Sequence, residues 1–161
     1  MADSRRELVL KAVETALEAA TATMNSSALT KPTGLTVKRS PEREILHDDL
    51  PQMDVWVLKD VHSFHATNSA TRVMTVRVRS TVTWLDADES SGDEALDPLL
   101  TWAEVALGAD SSLGGLLPEG GVVPTTLDTP RVEERSEKYA QAFQDFDLTY
   151  LTKFGDPRTT P

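Results

Sequence analysis

Polar and apolar side chains alternate most regularly along residues 72–84, RVMTVRVRSTVTW. One side of this stretch is apolar except at Ser80, and the other carries threonine and arginine: Met74, Val76, Val78, Val82 and Trp84 against Thr75, Arg77, Arg79, Thr81 and Thr83. A period of two is typical of a strand with one buried face. The stretch contains many β-branched residues and neither Gly nor Pro, which favours the same structure. Because it is longer than an ordinary strand, we expect it to be central or projecting.

A helix is predicted ahead of this strand. Residues 4–24 repeat apolar side chains at three- and four-residue spacing, and Asp3 or Ser4 can cap the first turn. The turn at residues 32–34 then leads into a short predicted strand at residues 35–39.

The next predicted strand, residues 53–59, is apolar on both faces through most of its length. A strand of this kind is normally covered on two sides, by helices or by a neighbouring subunit. Residues 60–71 connect it to the long strand, which predicts an antiparallel hairpin with an extended loop. The tip of that loop carries His62, Phe64 and His65.

A second helix is predicted to end at Gly108, but Pro98 leaves its start ambiguous. Proline fits the first turn of a helix better than its interior, so a start with Asp97 as the N-cap is preferred. A kinked helix that begins at Gly92 is the alternative. Its apolar face comprises Leu96, Leu99, Leu100, Ala103, Ala106 and Leu107.

The remainder of the chain predicts one further long strand. Residues 110–130 are rich in Gly and Pro and are expected to be mostly irregular, with one short strand at residues 122–123. Residues 131–137 are polar and are expected to be extended. Residues 139–151 alternate again and predict a strand that pairs beside the first long strand. Residues 156–161 are expected to be a flexible tail.

This order of elements predicts an α+β fold, with an antiparallel or mixed sheet of about four to five strands and both helices packed on one face. The length of 161 residues fits a single domain over residues 1–155. No repeat of fixed period divides the chain.

Charge and composition narrow the possible functions. The chain has 26 acidic and 16 basic side chains, a net charge of −10, and a pI near 4.7. This field opposes tight or sequence-specific nucleic-acid binding. The absence of Cys excludes disulfides and thiol chemistry. With neither a membrane-length apolar run nor a signal-peptide pattern, we expect a soluble, unexported protein.

Candidate chemistry is sparse. His62 and His65 are three apart, but in a loop they are more simply solvated or contact residues than metal ligands. The acidic loop at residues 86–93, with Asp86 and Asp88, resembles a calcium loop displaced by one position and is better explained as a solvated helix cap. No nucleophile with a neighbouring base and no phosphate-binding Gly pattern is present, so we expect neither an enzyme nor a cofactor.

Arg77 and Arg79 are the most informative charges, because they project from the polar side of the long strand. They are either ordinary surface residues or contacts to acidic residues of another copy, with Glu133, Glu134 and Glu137 as candidates. Arginine suits the second role because its guanidinium makes rigid, two-point contacts with carboxylates.

The whole pattern resembles the tail terminator (tail completion) proteins of long-tailed bacteriophages. The matching pieces are RELVLKAVETALEAA, LPQMDVWV, RVMTVRVRSTVTW, ALDPLLTWAEVAL and YAQAFQDFDLTYLTKFGDP. The resemblance implies two helices against an antiparallel sheet and assembly into a ring, commonly of six subunits. Such a ring caps the head-proximal end of the tail tube, stops its polymerisation and joins the head.

The resemblance also implies partners and a location. The partners would be other copies of the chain, the tail tube protein and head-tail connector proteins, and the protein would reside in the virion after assembly in the host cytoplasm. The loops at residues 86–93 and 62–68 would be natural contact elements. A tube subunit, another connector component, or a small ligand-binding domain or enzyme are the alternatives.

Overall fold

The computed structural model describes residues 3–39, 49–66, 68–83, 92–134 and 138–153. Its elements in chain order are α1 (Arg5–Glu18), β1 (Thr21–Met24), β2 (Ser27–Thr30), β3 (Thr36–Lys38), β4 (Gln52–Ala66), β5 (Ser69–Thr83), α2 (Gly92–Gly108), β6 (Val122–Glu134) and β7 (Lys138–Lys153). Residues 86–91 of the acidic loop predicted at residues 86–93, the tail at residues 156–161 and Glu137 lie outside the described residues, whereas Gly92 and Asp93 belong to α2 and not to a loop.

Five strands form one sheet in the order β3-β4-β5-β7-β6, and β1 and β2 form a separate antiparallel hairpin. β3 runs parallel to β4, while every other neighbouring pair in the large sheet is antiparallel. β5 is the middle strand and β7 pairs beside it, which confirms both predictions for the two long alternating strands. The predicted α+β class is confirmed, with the sheet mixed.

Both helices pack on the same face of this sheet. Met74, Val76 and Val78 of the apolar row of β5 are fully buried there, in one core cluster with residues of both helices. α1 contributes Val9, Val13 and Leu17, and α2 contributes Leu99, Trp102 and Ala103 among others. One face of each long strand is therefore apolar because it packs against the helices in the core.

α1 is shorter than predicted. Ser4 is its N-cap, and the Ser4 hydroxyl accepts a hydrogen bond from the Glu7 backbone N–H at 3.2 Å. The helix ends at Glu18, and residues 21–24 form β1 instead of a last helical turn. Thr21 and Thr23 are β-branched and favour a strand, and the following Asn25-Ser26 pair has positive φ at both residues, 50° and 67°.

The loop predicted at residues 60–71 is wrong. β4 continues to Ala66 and β5 starts at Ser69, so the tip of the hairpin is only two residues long. Asp60 and His62 looked like loop residues because they are polar, but Asp60 has partners inside the fold. The Tyr150 hydroxyl donates to Asp60 Oδ2 at 2.8 Å, which makes a charged residue compatible with the strand.

The preferred start of the second helix is also wrong. α2 begins at Gly92 and holds Pro98 in its interior, so the alternative start is the right one. The extra turns bury Leu96 against Ala140 and Ala142 of β7. Tertiary packing therefore outweighs the preference of proline for the first turn of a helix.

β6 was predicted as a strand only at residues 122–123, with residues 131–137 extended, but it runs continuously for 13 residues, Val122–Glu134. It is an edge strand, and its register with β7 shifts between Pro124 and Thr126 and again between Asp128 and Arg131. Pro124 and Pro130 thus lie at irregularities of an edge, which is where a sheet tolerates residues without a backbone N–H.

Trp102 was missing from the predicted apolar face of α2. It is buried in the core, and its indole Nε1–H donates to the Leu17 carbonyl at 3.0 Å. That carbonyl lies in the last turn of α1, where backbone acceptors lack partners within the helix. Trp102 therefore ties the end of α1 to α2.

Candidate interaction surface on the open face of the sheet

The sheet has a second face, opposite the helices, which we call the open face because no described helix or strand covers it. Alternate residues of β4, β5 and β7 form its centre: Gln52, Asp54, Trp56, Thr75, Arg77, Arg79, Phe143, Asp145 and Asp147. Residues opposite one another on neighbouring strands share a face, so the register brings the charges of β4 and β7 to the arginines of β5.

Arg77 is paired directly across the strands with Asp145. Its Nε donates to Asp145 Oδ1 at 2.7 Å and its Nη2 to Oδ2 at 2.9 Å, a two-point contact between guanidinium and carboxylate. Asp128 of β6 lies further away, with its Oδ2 at 3.7 Å from Arg77 Nη2. Hydrogen bonding to Asp145 raises the pKa of Arg77, opposed by partial desolvation, so the guanidinium stays charged.

Arg79 holds the carboxylate of Asp54 on the β4 side, with both of its donors on one oxygen. Its Nε and Nη2 donate to Asp54 Oδ2 at 3.0 and 2.8 Å, and the Gln52 amide donates to Oδ1 at 2.6 Å. Both oxygens of Asp54 are thus satisfied, although its side chain is 0% exposed. A buried carboxylate is tolerable under these conditions because the hydrogen bonds replace those that it loses to water.

Two aromatic rings fill the spaces between these ion pairs. The Arg79 guanidinium lies 5.7 Å from the centre of the Trp56 ring, and that of Arg77 lies 5.3 Å from the centre of Phe143. The two rings meet edge to face at 6.5 Å. Each arginine therefore combines a carboxylate contact with a cation–π contact, which fixes the side chains in place.

This arrangement suits recognition better than catalysis. Asp54 and Asp145 are both held by arginine, so neither carboxylate is placed to act as a general base. The surface instead presents tryptophan, phenylalanine and arginine in fixed positions, and these side chains are enriched at protein interfaces. We therefore take the open face as the candidate interaction surface.

Arg77 and Arg79, selected from the sequence, both lie on this surface. The structure gives them carboxylate partners inside the chain, Asp145 and Asp54. Contact with Glu133, Glu134 or Glu137 of another copy stays a prediction. Asp54, Trp56, Phe143 and Asp145 were not selected. The signal available for Asp145 and Phe143 was that they share one parity on β7, as the arginines do on β5.

The other predicted contact residues lie elsewhere. His62 is exposed on β4, opposite Arg72, on the same side of the sheet as the helices. Phe64 and His65 belong to the same strand rather than to a loop, and Glu133 and Glu134 are at the end of β6. Asp86, Asp88 and Glu137 lie outside the described residues.

A second charged cluster lies near the start of α1, centred on Asp60. Asp60 Oδ2 accepts from the Tyr150 hydroxyl and from Arg72 Nη1 at 3.4 Å, and Arg6 Nε lies 3.8 Å away. Burial, followed by the hydrogen bond to Asp60, raises the pKa of Tyr150 to about 12. The phenol therefore stays protonated and serves as a donor that supports the charge of Asp60.

Within the ranges that the structure covers, no three His, Cys, Asp or Glu side chains come together in a way that could hold a metal ion. Neither helix in those ranges combines the length and apolar character needed to cross a membrane. No protein-family model matches the chain, and no curated protein matches it.

Proposed function

We propose that this protein is a structural component of a long-tailed phage virion, a tail terminator. It forms a ring on the head-proximal end of the tail tube, ends the addition of tube subunits and presents the surface to which the head is joined. Its partners are further copies of itself, the tube protein and the connector proteins of the head. The proposal starts from the resemblance in the order and pattern of the sequence elements.

The open face is the observation that carries the proposal furthest. Two helices cover one face of the sheet, and the other face is a broad surface of rigid aromatic and arginine side chains with no catalytic group among them. A subunit that acts by contact needs such a surface. An enzyme needs a pocket with converging polar groups, which the open face does not provide.

Charge also supports a role beside DNA. The chain carries a net charge of −10, and Arg77 and Arg79 are already paired with carboxylates. A protein of this charge releases few counterions from a phosphate backbone, so DNA passing through a ring of its copies would not adhere to it. The net negative charge of the protein would then let DNA pass through the ring without binding to it.

Electron microscopy of polymerising tube protein tests the proposal. Purified protein added during growth should fix the tube length and add density at one end only. Tubes that continue to grow in its presence would contradict the proposal, and unlimited tubes formed by the protein alone would identify it as a tube subunit. An unrelated acidic protein of similar size is the control for charge.

A matched pair of variants links capping to the open face. Trp56→Ala removes from that face a ring that lies beside Arg79, while Leu8→Ala removes a partly exposed apolar side chain from α1 on the other side. If the open face is the contact surface, Trp56→Ala should raise the concentration needed for capping about tenfold or more. Leu8→Ala should leave it unchanged, and equal effects would point to a different surface.

A further inference from the structure

The open face carries matching side chains on the two sides of β5. Residues paired across β4, β5 and β7 lie at one level of the sheet, so a residue of β5 has one neighbour on β4 and one on β7. At the level of Arg77, the ring of Trp56 lies on the β4 side and the carboxylate bonded to Arg77 lies on the β7 side. At the level of Arg79, the carboxylate lies on the β4 side and the ring of Phe143 lies on the β7 side. Each of these two levels therefore pairs a ring with an ion pair across β5.

The next two levels continue this arrangement with other side chains. At the level of Thr75, the exposed Lys59 lies on the β4 side and Asp147 on the β7 side. Asp147 accepts a hydrogen bond from the Thr75 hydroxyl, a neutral donor that leaves the negative charge of the carboxylate in place. One level further, Val61 is 56% exposed on the β4 side, and the smaller polar Thr149 lies on the β7 side. The two sides of β5 are thus complementary in charge at one level and in shape at the other.

A twofold axis parallel to β5 brings the complementary sides together. A half-turn about such an axis, just above the open face, places a second sheet face to face with the first and lays its β7 over β4 at the same level. Lys59 of each copy then meets Asp147 of the other. A twofold axis across the strands would lay β4 over β4, so Lys59 could not reach Asp147. The charges therefore select the axis parallel to the strands.

We infer that two copies of this chain pack open face to open face about this axis. Trp56 of each copy lies against the Arg77 ion pair of the other, where the ring attracts the guanidinium. Phe143 lies in the same way against the Arg79 ion pair. Along residues 71–81 of β5, the five strands span about 24 Å by 36 Å. That area of about 900 Å² matches the roughly 800 Å² that each partner buries in an interface of standard size.

The contact needs neither a tube nor a head, so it goes beyond the proposed function and does not depend on it. The dimer is the free form of the protein. Because the dimer and the proposed tube contact use the same face, they compete for it, and a tube must displace one copy to reach Trp56.

Sedimentation equilibrium of the full chain measures the dimer directly. The expected mass at high protein concentration is twice the 17.6 kDa of one chain. A salt concentration of about 0.15 M limits the repulsion between two copies to a range of about 8 Å, although each has a net charge of −10. Wild-type protein that stays monomeric at its highest soluble concentration overturns the inference.

Charge reversal tests the axis. Lys59→Glu creates two contacts between like charges in the dimer and should raise its dissociation constant about tenfold or more, and Asp147→Lys should do the same. An equimolar mixture of the two variants should dimerise again, because both contacts of the mixed dimer then join opposite charges. A mixture that remains monomeric, while circular dichroism shows that both variants are folded, overturns the inference.

Lys11→Glu is the matched control for net charge. Lys11 is exposed on α1, on the other side of the molecule, and its reversal changes the charge of the chain by the same amount as Lys59→Glu. It should leave the dissociation constant unchanged. An effect as large as that of Lys59→Glu would attribute both to net charge and would overturn the proposed contact.

Crosslinking adds a test that leaves Asp147 intact. The chain has no cysteine, and Val73 lies on the open face of β5, beside the axis. Val73→Cys should therefore give a covalent dimer with a short bismaleimide, because residue 73 of one copy meets residue 73 of the other. Leu8→Cys on α1 is the control and should stay monomeric. Equal crosslinking of the two variants, or none in Val73→Cys, overturns the inference.

These results are independent of tube capping. Dimers that respond to Lys59→Glu, together with tubes that keep growing, would retain the dimer and overturn the tail terminator. Capped tubes together with a free protein that is monomeric, or that forms rings insensitive to Lys59→Glu, would retain the terminator and overturn the dimer.

Discussion

Asp54 and Asp128 show that burial decides how much the ion pair of a carboxylate contributes to stability. Both belong to the open face, but the Asp54 side chain is 0% exposed and accepts three hydrogen bonds, while the Asp128 side chain is 53% exposed and lies 3.7 Å from its partner. A buried charge that loses its partner is costly because water cannot replace the contact. An exposed pair contributes little, because water replaces most of the contact when one partner is lost.

Asp54→Asn should therefore destabilise the protein by about 3 kcal/mol, because the amide keeps the shape of the side chain but leaves the charge of Arg79 unpaired. Asp128→Asn should change the free energy of unfolding by less than about 0.5 kcal/mol. Chemical denaturation of the two variants measures both values. Similar values for the two would show that burial of Asp54 does not control the strength of its ion pair.

The raised pKa of Tyr150 predicts that the protein loses stability at high pH. Its pKa is raised to about 12 in the folded protein from an unfolded value of 10.0, so its contribution is fully present below pH 10 and is lost as pH rises to about 12. A shift of this size corresponds to about 2–3 kcal/mol. Absorbance of tyrosinate should show an ionisation step near pH 12 that disappears in Tyr150→Phe. A step that persists in this variant would contradict the assignment to Tyr150.

At the scale of elements, the turn between β1 and β2 is a local source of strain. Asn25 and Ser26 both have positive φ, the geometry of a two-residue hairpin turn in which Asn-Gly is the favoured pair. Asn tolerates this backbone better than Ser does, and Gly tolerates it best. A substitution at the second position of this turn, Ser26, can therefore stabilise the protein.

Ser26→Gly should raise the free energy of unfolding by about 0.5–1 kcal/mol, since relief of the unfavourable backbone exceeds the added freedom of glycine in the unfolded chain. Ser27→Gly, one residue further on in β2, should instead lower it, because glycine weakens a strand. Thermal unfolding monitored by circular dichroism distinguishes the two. A loss of stability in both variants would refute the strain at Ser26.

The elements that could be predicted from the sequence are those whose pattern is local. β5 and β7 follow from alternation, because one face of each is buried in the core. β6 could not be predicted in full, since Pro124 and Pro130 suggest a loop and are tolerated only because β6 is an edge. The start of α2 was predicted wrongly for a related reason. The burial of Leu96 against β7 is a tertiary contact, and the preference of proline for the first turn of a helix gives no information about it.

At the scale of the whole molecule, the candidate surface was predictable in part. Arg77 and Arg79 stand out because arginine on a long strand is conspicuous. Their carboxylate partners are 68 and 25 positions away in sequence and depend on the register of three strands. No local pattern contains that register, so the sequence supports the choice of the arginines but not of Asp145 or Asp54.

The strand order has a consequence for the order of synthesis. β7 is the last of the described strands along the chain, yet it lies between β5 and β6 and supplies the pairing partners of both. Until it has left the ribosome, the facing edges of β5 and β6 lack their native neighbour, and the sheet cannot close. A premature stop ahead of Lys138 would therefore remove the strand that joins the two halves of the sheet, rather than trim an end of it.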